Sequence, residues 1–182
     1  MTSLRGRLVV SSPAMLDPNF HRTVVLLIEH GEEGALGVVL NRATEMPIGE
    51  LLPPWEPHAA SPGVVFIGGP MQRSSAICLG RSDPPLRTSG WAPVFADIGT
   101  VDLNEDPGEI PAVGEVRVFA GHAGWAPLQL EDEMDEGAWV VCDATPADVL
   151  HPDPDQLWAR VVERQGGVVP LLTRFPPDPA LN

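Results

Sequence analysis

The chain has 182 residues, of which 43% are hydrophobic, and its 11 basic residues stand against 25 acidic ones, giving a net charge of −14. All 11 basic residues are arginines and tyrosine is absent, which excludes a lysine Schiff base, a P-loop lysine and a phenolic catalyst. An acidic chain without a basic stretch lacks the cationic contacts on which nucleic-acid binding depends, so direct nucleic-acid binding is not expected.

Strand-like segments dominate the first half of the chain. The β-branched, continuously apolar run at residues 23–29 predicts a strand covered on both faces, and the turn at 30–34 pairs it with the next strand as a hairpin. A short helix is expected at 47–52, followed by an irregular loop at 55–63. The predicted strands lie at residues 5–11, 23–29, 35–41, 64–67 and 75–80.

The second half alternates strands with turn-rich segments. Residues 81–93 are rich in Pro, Gly and Ser and predict an exposed excursion, while residues 104–114 are acidic and turn-forming. Thr145 and Asp153 each precede a proline, which predicts the starts of two helices, the second extending over 155–165. Further strands are predicted at residues 94–103, with a break near Gly99, and at 116–120 and 138–142.

The stretch from Val116 to Glu133 is the element around which the other predictions are arranged. Its apolar alternation predicts a strand that breaks at Gly121 and Gly124, and the charged residues that follow predict a short helix. Pro127 suits the first turn of that helix, and the acidic residues near its start match the helix dipole. The sequence therefore predicts a tight strand-to-helix reversal across the two glycines.

The cysteines and the N-terminus indicate where the protein resides. Cys78 and Cys142 lie within apolar runs and form no metal or redox spacing, which predicts two buried free thiols. The N-terminus lacks the long apolar segment of a signal peptide, and no apolar run approaches the ~18 residues of a membrane span. A cytoplasmic protein is therefore expected, with one domain over residues 1–175 and a flexible, proline-rich tail at 176–182.

Four short motifs resemble those of the YqgE/AlgH family of bacterial proteins. They occur in the same order as in the family, and with their spacing they extend the resemblance from residue 5 to about residue 165. The motifs are Asp17–Phe20 leading to Thr23, Val24 and His30; Gly34–Arg42; Gly68–Pro70; and Phe119–Trp125 followed by Gln129, Leu130, Glu131 and Glu133. Asp17 and Phe20 themselves suit structural roles, an Asx turn and a hydrophobic plug.

This resemblance implies a fold more than an activity. It implies a single-domain α+β fold in which a bifurcated, mixed sheet forms a pseudo-barrel with short flanking helices. The family has no agreed biochemical function, although part of it is labelled as transcriptional regulators. The chain departs from the usual pattern at His122, where Tyr or Phe is common, and at Leu128, where glycine is frequent. His122 would reproduce only part of what a Tyr hydroxyl does.

The candidate ligand-binding residues follow the ends of predicted strands, where loops commonly build sites. Arg42 and the backbone N–H groups of the Gly-Gly turn could hold an anion, with Arg22 assisting. His122 is a candidate for a polar group aimed into a cleft, and Trp125 for stacking on a planar ligand. The full set is Asn41, Arg42, Gly68, Gly69, Pro70, Gly121, His122, Gly124, Trp125, Gln129 and Glu131.

Each candidate also has a structural interpretation. Trp125 suits a core anchor whose N–H is bound to a carbonyl, and His122 a surface residue that replaces an aromatic one. Asn41 suits a left-handed turn, the glycines a tight bend, and Arg42 a surface ion pair. The acidic residues of the predicted helix suit a solvated face that matches the dipole.

The spacing of residues typical of catalytic or metal sites is absent from the sequence. Its five histidines form no HxH or HxxxH pair, and there is no G-x-S-x-G elbow, GxGxxG loop or P-loop. No cofactor or metal is therefore predicted. The favoured hypothesis is a cytoplasmic regulatory or interaction protein that binds a small ligand or a protein partner in a groove near residues 121–125. The alternatives are a direct transcriptional regulator and an enzyme that uses His122 with a carboxylate.

Overall fold

Strands are the main regular elements of the computed structural model, which describes residues 2–82, 90–110 and 113–165. The tail predicted at 176–182 lies outside these residues. The strands are β1 (Leu8–Ser11), β2 (Val24–Gly31), β3 (Gly34–Val39), β4 (Ala43–Pro47), β5 (Val64–Ile67), β6 (Met71–Ser82), β7 (Trp91–Phe95), β8 (Ile98–Val101), β9 (Val113–Trp125) and β10 (Trp139–Cys142). The α-helices are α1 (Ile48–Leu51), α2 (Gln129–Asp135), α3 (Pro146–Val149) and α4 (Leu157–Glu163). Three 3₁₀ helices span Pro53–His58, Pro107–Glu109 and Pro154–Gln156, so the irregular loop predicted at 55–63 is helical in its first part.

The strands join into a single, mostly antiparallel sheet. Its main path runs β10-β1-β2-β3-β9-β6-β8-β7, and β4 and β5 lie off this path. β5 pairs in parallel with β9, which makes the sheet mixed. The sheet is not closed, because β10 and β7 stand at the two ends of the path. The predicted single-domain α+β class is confirmed at this level, while the pseudo-barrel stays a prediction.

β9 is the strand at which the sheet branches. Its residues 113–122 pair with β6, residues 119–120 pair with β5, and residues 123–125 pair with β3. The predicted strand-to-helix reversal at Gly121 and Gly124 is therefore wrong, because the strand continues through both glycines. The helix that follows begins at Gln129, after Leu128 has adopted a left-handed backbone with φ of 65°, so Pro127 precedes the helix.

The hairpin of β7 and β8 replaces the single strand predicted at 94–103. The chain turns at Ala96, whose φ is 45°, and Gly99 lies within β8 opposite Pro93. The exposed excursion predicted at 81–93 is wrong at both ends, because these ends belong to β6 and β7, and residues 83–89 lie outside the described ranges. β4 has no counterpart among the predicted strands, because its Ala-Thr-Glu-Met-Pro sequence lacks apolar alternation.

Three hydrophobic clusters fill the core. The largest joins β1 and β2 to α4 and includes Leu8, Leu26 and Val161, each with no solvent-exposed surface. This packing brings α4 against the N-terminal strands. Residues 24–28 of β2 are buried without interruption, which confirms the prediction of a strand covered on both faces. Within the described ranges, no helix combines the length and the apolar character that crossing a membrane requires.

Both cysteines are free and buried, as predicted, and we expect them to resist thiol reagents in the folded protein. Burial raises the pKa of Cys78 to about 12 and that of Cys142 to about 11, so at pH 8 about one Cys142 in a thousand is a thiolate. Mass spectrometry after iodoacetamide treatment at pH 8 should show no labelling in buffer and two labels in urea. Labelling of either thiol in buffer at the rate of a small free thiol would contradict this prediction.

Candidate functional site

A cavity of about 220 Å³ lies where three distant segments of the chain meet. Side chains come from the loop between β1 and β2, from the segment between β3 and β4, and from the start of α4 with the turn just before it. We call this cavity the arginine pocket. It is lined by His21, Arg22, Asn41, Arg42, Asp155, Trp158 and Ala159.

Asn41 fixes the relative positions of the first two segments. Its Oδ1 accepts a hydrogen bond from the backbone N–H of Val24 at 3.0 Å, and its Nδ2 donates to the carbonyl of Arg22 at 2.9 Å. The left-handed conformation considered for Asn41 is found at Arg22 instead, with φ of 50°. Asn41 therefore holds the backbone on which Arg22 enters the pocket.

The two arginines of the pocket are held in different ways. The guanidinium carbon of Arg22 lies 4.4 Å from the ring centroid of Trp158, in a cation–π contact. Arg42 donates from Nη2 to the carbonyl of His21 at 3.1 Å. Burial lowers the pKa of both arginines; for Arg42, nearby Asp17 opposes the shift and Arg73 adds to it. Both side chains remain cations at neutral pH.

His21 also lines the pocket, and its ring is held by the backbone. Its Nδ1 lies 2.8 Å from the carbonyl of Met15, and since a carbonyl only accepts, Nδ1 carries the proton in this contact. In the neutral ring, Nε2 is then an acceptor. The adjacent Asp17 side chain accepts the N–H of Asn19 at 2.9 Å, which confirms the predicted Asx turn.

The glycines of the Gly68–Pro70 motif allow two backbone segments to approach each other closely. A Cβ on Gly69 would lie 2.2 Å from the carbonyl carbon and oxygen of His122, and a Cβ on Gly68 would lie 2.4 Å from the oxygen of Gly121. Gly68 also receives a hydrogen bond from Val39 and donates one to Ala120. These glycines therefore let β3, β5 and β9 meet at the branch of the sheet, and Pro70 is exposed beyond it.

His122 lies on a strand, where a turn was predicted. It is half-buried in β9, in register with Met71 of β6. In the part of the chain that the structure describes, its ring makes no hydrogen bond to a carboxylate. The neighbouring Gly124 leaves space for Met71, whose Sδ would be 2.7 Å from a Cβ at that position.

Trp125 is held in the core, as its structural interpretation predicted. Only 7% of its surface is exposed, and its ring packs against Phe20 and Trp139. Its Nε1 donates to Glu133 Oε2 at 2.9 Å, so the partner is a carboxylate and not a carbonyl. Trp139 Nε1 donates to the same oxygen at 2.9 Å. Phe20, predicted as a hydrophobic plug, completes this aromatic cluster.

Gln129 and Glu131 of α2 are engaged in two separate contacts. Gln129 donates to Glu133 Oε1 at 3.0 Å and accepts the N–H of Ala126 at 2.9 Å, which supports the aromatic cluster. Glu131 Oε1 lies 2.6 Å from Nε2 of His30, whose Nδ1 accepts the N–H of Leu4 at 2.9 Å. His30 therefore holds its proton on Nε2 and donates it to Glu131.

The pKa of Glu131 reflects two opposing effects. Desolvation acts to raise it, but hydrogen bonds from the residue's own backbone N–H and from His30 outweigh desolvation, so the pKa of Glu131 lies below its ordinary value. Through its contact with His30, Glu131 helps to hold the N-terminal segment against α2.

Of the predicted site residues, Asn41 and Arg42 line the arginine pocket, and the others surround the branch of the sheet or belong to α2. The pocket also includes residues outside the predicted set: His21, Arg22, Asp155, Trp158 and Ala159. Arg22 was considered only as an assisting group. For Asp155, Trp158 and Ala159 the sequence predicts a helix but no binding role, because these residues lie more than a hundred positions further along the chain and carry no binding motif.

Comparisons with known proteins give concordant matches over nearly the whole chain. An AlgH-like family model matches residues 8–170. A UPF0301 protein of Streptomyces coelicolor is 49% identical over 187 residues, covering 100% of this chain and 97% of that protein. A crystal structure from Corynebacterium diphtheriae has a TM-score of 0.89 at 34% identity, covering 94% and 92% of the two chains. The solution structure of AlgH from Pseudomonas aeruginosa has a TM-score of 0.70 at 30% identity, covering 94% of each chain.

Proposed function

The chain belongs to the AlgH-like family, and from that premise we propose that it is a cytoplasmic binding protein of regulatory type whose small-molecule ligand occupies the arginine pocket. The carrying observation is the convergence of three sequence-distant segments on one cavity of about 220 Å³. Cavities with a few convergent polar groups are the usual form of small-ligand sites. Two buried free thiols fit a reducing compartment.

The pocket suits a sensor because its lining residues come from three separate segments of the chain. The β1–β2 loop and the segment after β3 are joined through Asn41, while α4 packs on the same strands through the largest core cluster. A ligand that contacts Arg42 and Ala159 together would link α4 to the segment that follows β3. Such a bridge would stabilise one relative position of these elements. A bound ligand can in this way change the conformation that a partner protein meets.

This location differs from a groove centred on residues 121–125. Trp125 packs in the aromatic cluster, and the glycines lie close to neighbouring backbones. These contacts support a structural role for both at the branch of the sheet. Direct DNA binding gains no support from a net charge of −14. Ligand binding at the arginine pocket is therefore the hypothesis that the described contacts favour over the transcriptional-regulator label and over catalysis by His122.

Blocking the cavity tests this function. Ala159 is half-exposed and lines the pocket, so Ala159→Leu should fill it with little strain elsewhere. We expect a thermal-shift screen of nucleotides, organic acids, sugars and amino acids to raise the wild-type midpoint for at least one compound class, because ligands that bind the native state stabilise it. The shift should vanish in Ala159→Leu.

The matched control is Ala147→Leu, which places the same side chain at an exposed position on α3 outside the pocket. It should retain the shift. If every stabilising compound acted equally on the blocked variant, or if none stabilised the wild-type protein, the proposed function would be refuted.

A further inference from the structure

From the contacts of Arg42 we infer that the ligand of the arginine pocket presents a compact oxyanion, a carboxylate or a phosphate group, to this guanidinium with Arg22 alongside. The inference rests on the proposed function and adds the chemical class of the ligand. It begins from the distribution of positive charge. In a chain with 25 acidic residues and 11 arginines, two arginines lining one small cavity are a local reversal of the net charge.

Arg42 is only partly satisfied by the protein. Its side chain makes one hydrogen bond, from Nη2 to the carbonyl of His21, among the residues that the structure describes. The side chain is half-buried, which reduces its hydration, and this burial lowers the pKa of its guanidinium. Since a guanidinium carries five N–H donors in a planar fork, several donors remain for a group in the cavity.

Other arginines of the chain are paired differently. Arg164 binds both oxygens of Asp148 at 2.6 Å, and Arg7 and Arg81 form ion pairs with aspartates at 3.0 and 2.6 Å. Over the described ranges, Arg42 has no carboxylate within the 4.0 Å that defines such a pair. A partly desolvated cation without an ion-pair partner is best stabilised by an anion from outside.

The surroundings of Arg42 limit how much negative charge the ligand carries. Arg22 lies against Trp158 on the same cavity, and Arg73 is close enough to lower the pKa of Arg42. Asp155 also lines the pocket and Asp17 acts on Arg42, so two carboxylates would repel a polyanion. A single carboxylate or phosphate group fits this balance better than a polyphosphate does.

The test measures binding of inorganic phosphate and of acetate by isothermal titration at matched ionic strength. The variants are Arg42→Gln, which keeps amide donors but removes the charge, and Arg160→Gln, which makes the same charge change at an exposed arginine of α4 outside the pocket. We expect Arg42→Gln to weaken binding by about tenfold or more. Arg160→Gln should change it by less than about twofold.

The two anions distinguish the possible sources of the oxyanion. Binding of phosphate alone indicates a phosphorylated ligand, and binding of acetate alone indicates an organic acid; either supports the inference when it depends on Arg42. Anion binding unchanged by Arg42→Gln would identify an adventitious ion only and overturn the inference. So would the absence of binding by both anions.

Failure of this inference is separable from failure of the proposed function. An uncharged compound could give a thermal shift that disappears in Ala159→Leu but persists in Arg42→Gln. This result would support ligand binding in the pocket and overturn the inference that the ligand presents an oxyanion. If no compound raised the wild-type midpoint, both the proposed function and the oxyanion inference would be refuted. Circular dichroism of each variant establishes that it is folded before binding is compared.

Discussion

Replacing Glu133 with alanine is expected to destabilise the protein by about 2–4 kcal/mol, because two indole N–H groups would lose their acceptor at once. Trp125 and Trp139 are 7% and 4% exposed, and both donate to Oε2 of this residue. Water has little access to either indole nitrogen. The remaining oxygen of Glu133 accepts from Gln129, so the loss would also loosen the start of α2.

Urea denaturation followed by circular dichroism measures this effect, and tryptophan emission should shift as the aromatic cluster loosens. Glu136→Ala is the matched control, since Glu136 is an exposed residue at the end of the same helix and should change the unfolding free energy by less than about 0.5 kcal/mol. Glu133→Gln keeps a carbonyl acceptor and should fall between the two. Equal stability of Glu133→Ala and Glu136→Ala would show that the indoles find other partners.

Arg117→Met is expected to cost about 3 kcal/mol or more, because it leaves buried carbonyls without a donor. Arg117 is 2% exposed and donates to the carbonyls of Val149, His151 and Ser61. Its guanidinium carbon lies 4.4 Å from the ring centroid of Phe66. Burial lowers its pKa to about 10, although Glu115 acts to raise it, so the buried cation depends on these carbonyls at neutral pH.

The comparison for Arg117 is Arg81→Met, which removes an exposed arginine from its ion pair with Asp97 and should cost about 1 kcal/mol or less. Arg117→Lys retains the charge but has a single nitrogen to serve three carbonyls, so we expect an intermediate loss. Unfolding free energies from urea titrations at pH 7 order the three variants. If Arg117→Met were as stable as Arg81→Met, the carbonyl contacts would contribute nothing measurable.

The sequence predicted those features that depend on neighbouring residues. The continuous apolar run gave β2, the Thr145-Pro pair marked the start of α3 with its capping box, and Asp17 formed its Asx turn. The family resemblance was confirmed by the family model and by a relative with 49% identity. These features share a cause, since backbone preference and apolar pattern act over a few residues.

Features that depend on contacts between distant residues could not be predicted. Gly121 and Gly124 signal a turn when considered alone, yet they serve the close packing of β9 with its neighbours. Glu133 resembles any acid on a short helix, and its role arises only where two tryptophans 14 residues apart converge (Trp125 and Trp139). The arginine pocket likewise requires α4 to pack beside a loop near the N-terminus.

The pairing of β1 and β3 has a consequence for folding during synthesis on the ribosome. β1 lies between β2 and β10, and β3 lies between β2 and β9. The three N-terminal strands can pair with one another as soon as they emerge, but their two outer edges remain open until residues 113–142 have been made. Such edges are templates for association with other chains. Until β9 and β10 are made, a nascent β1–β3 sheet therefore presents two open edges to other chains.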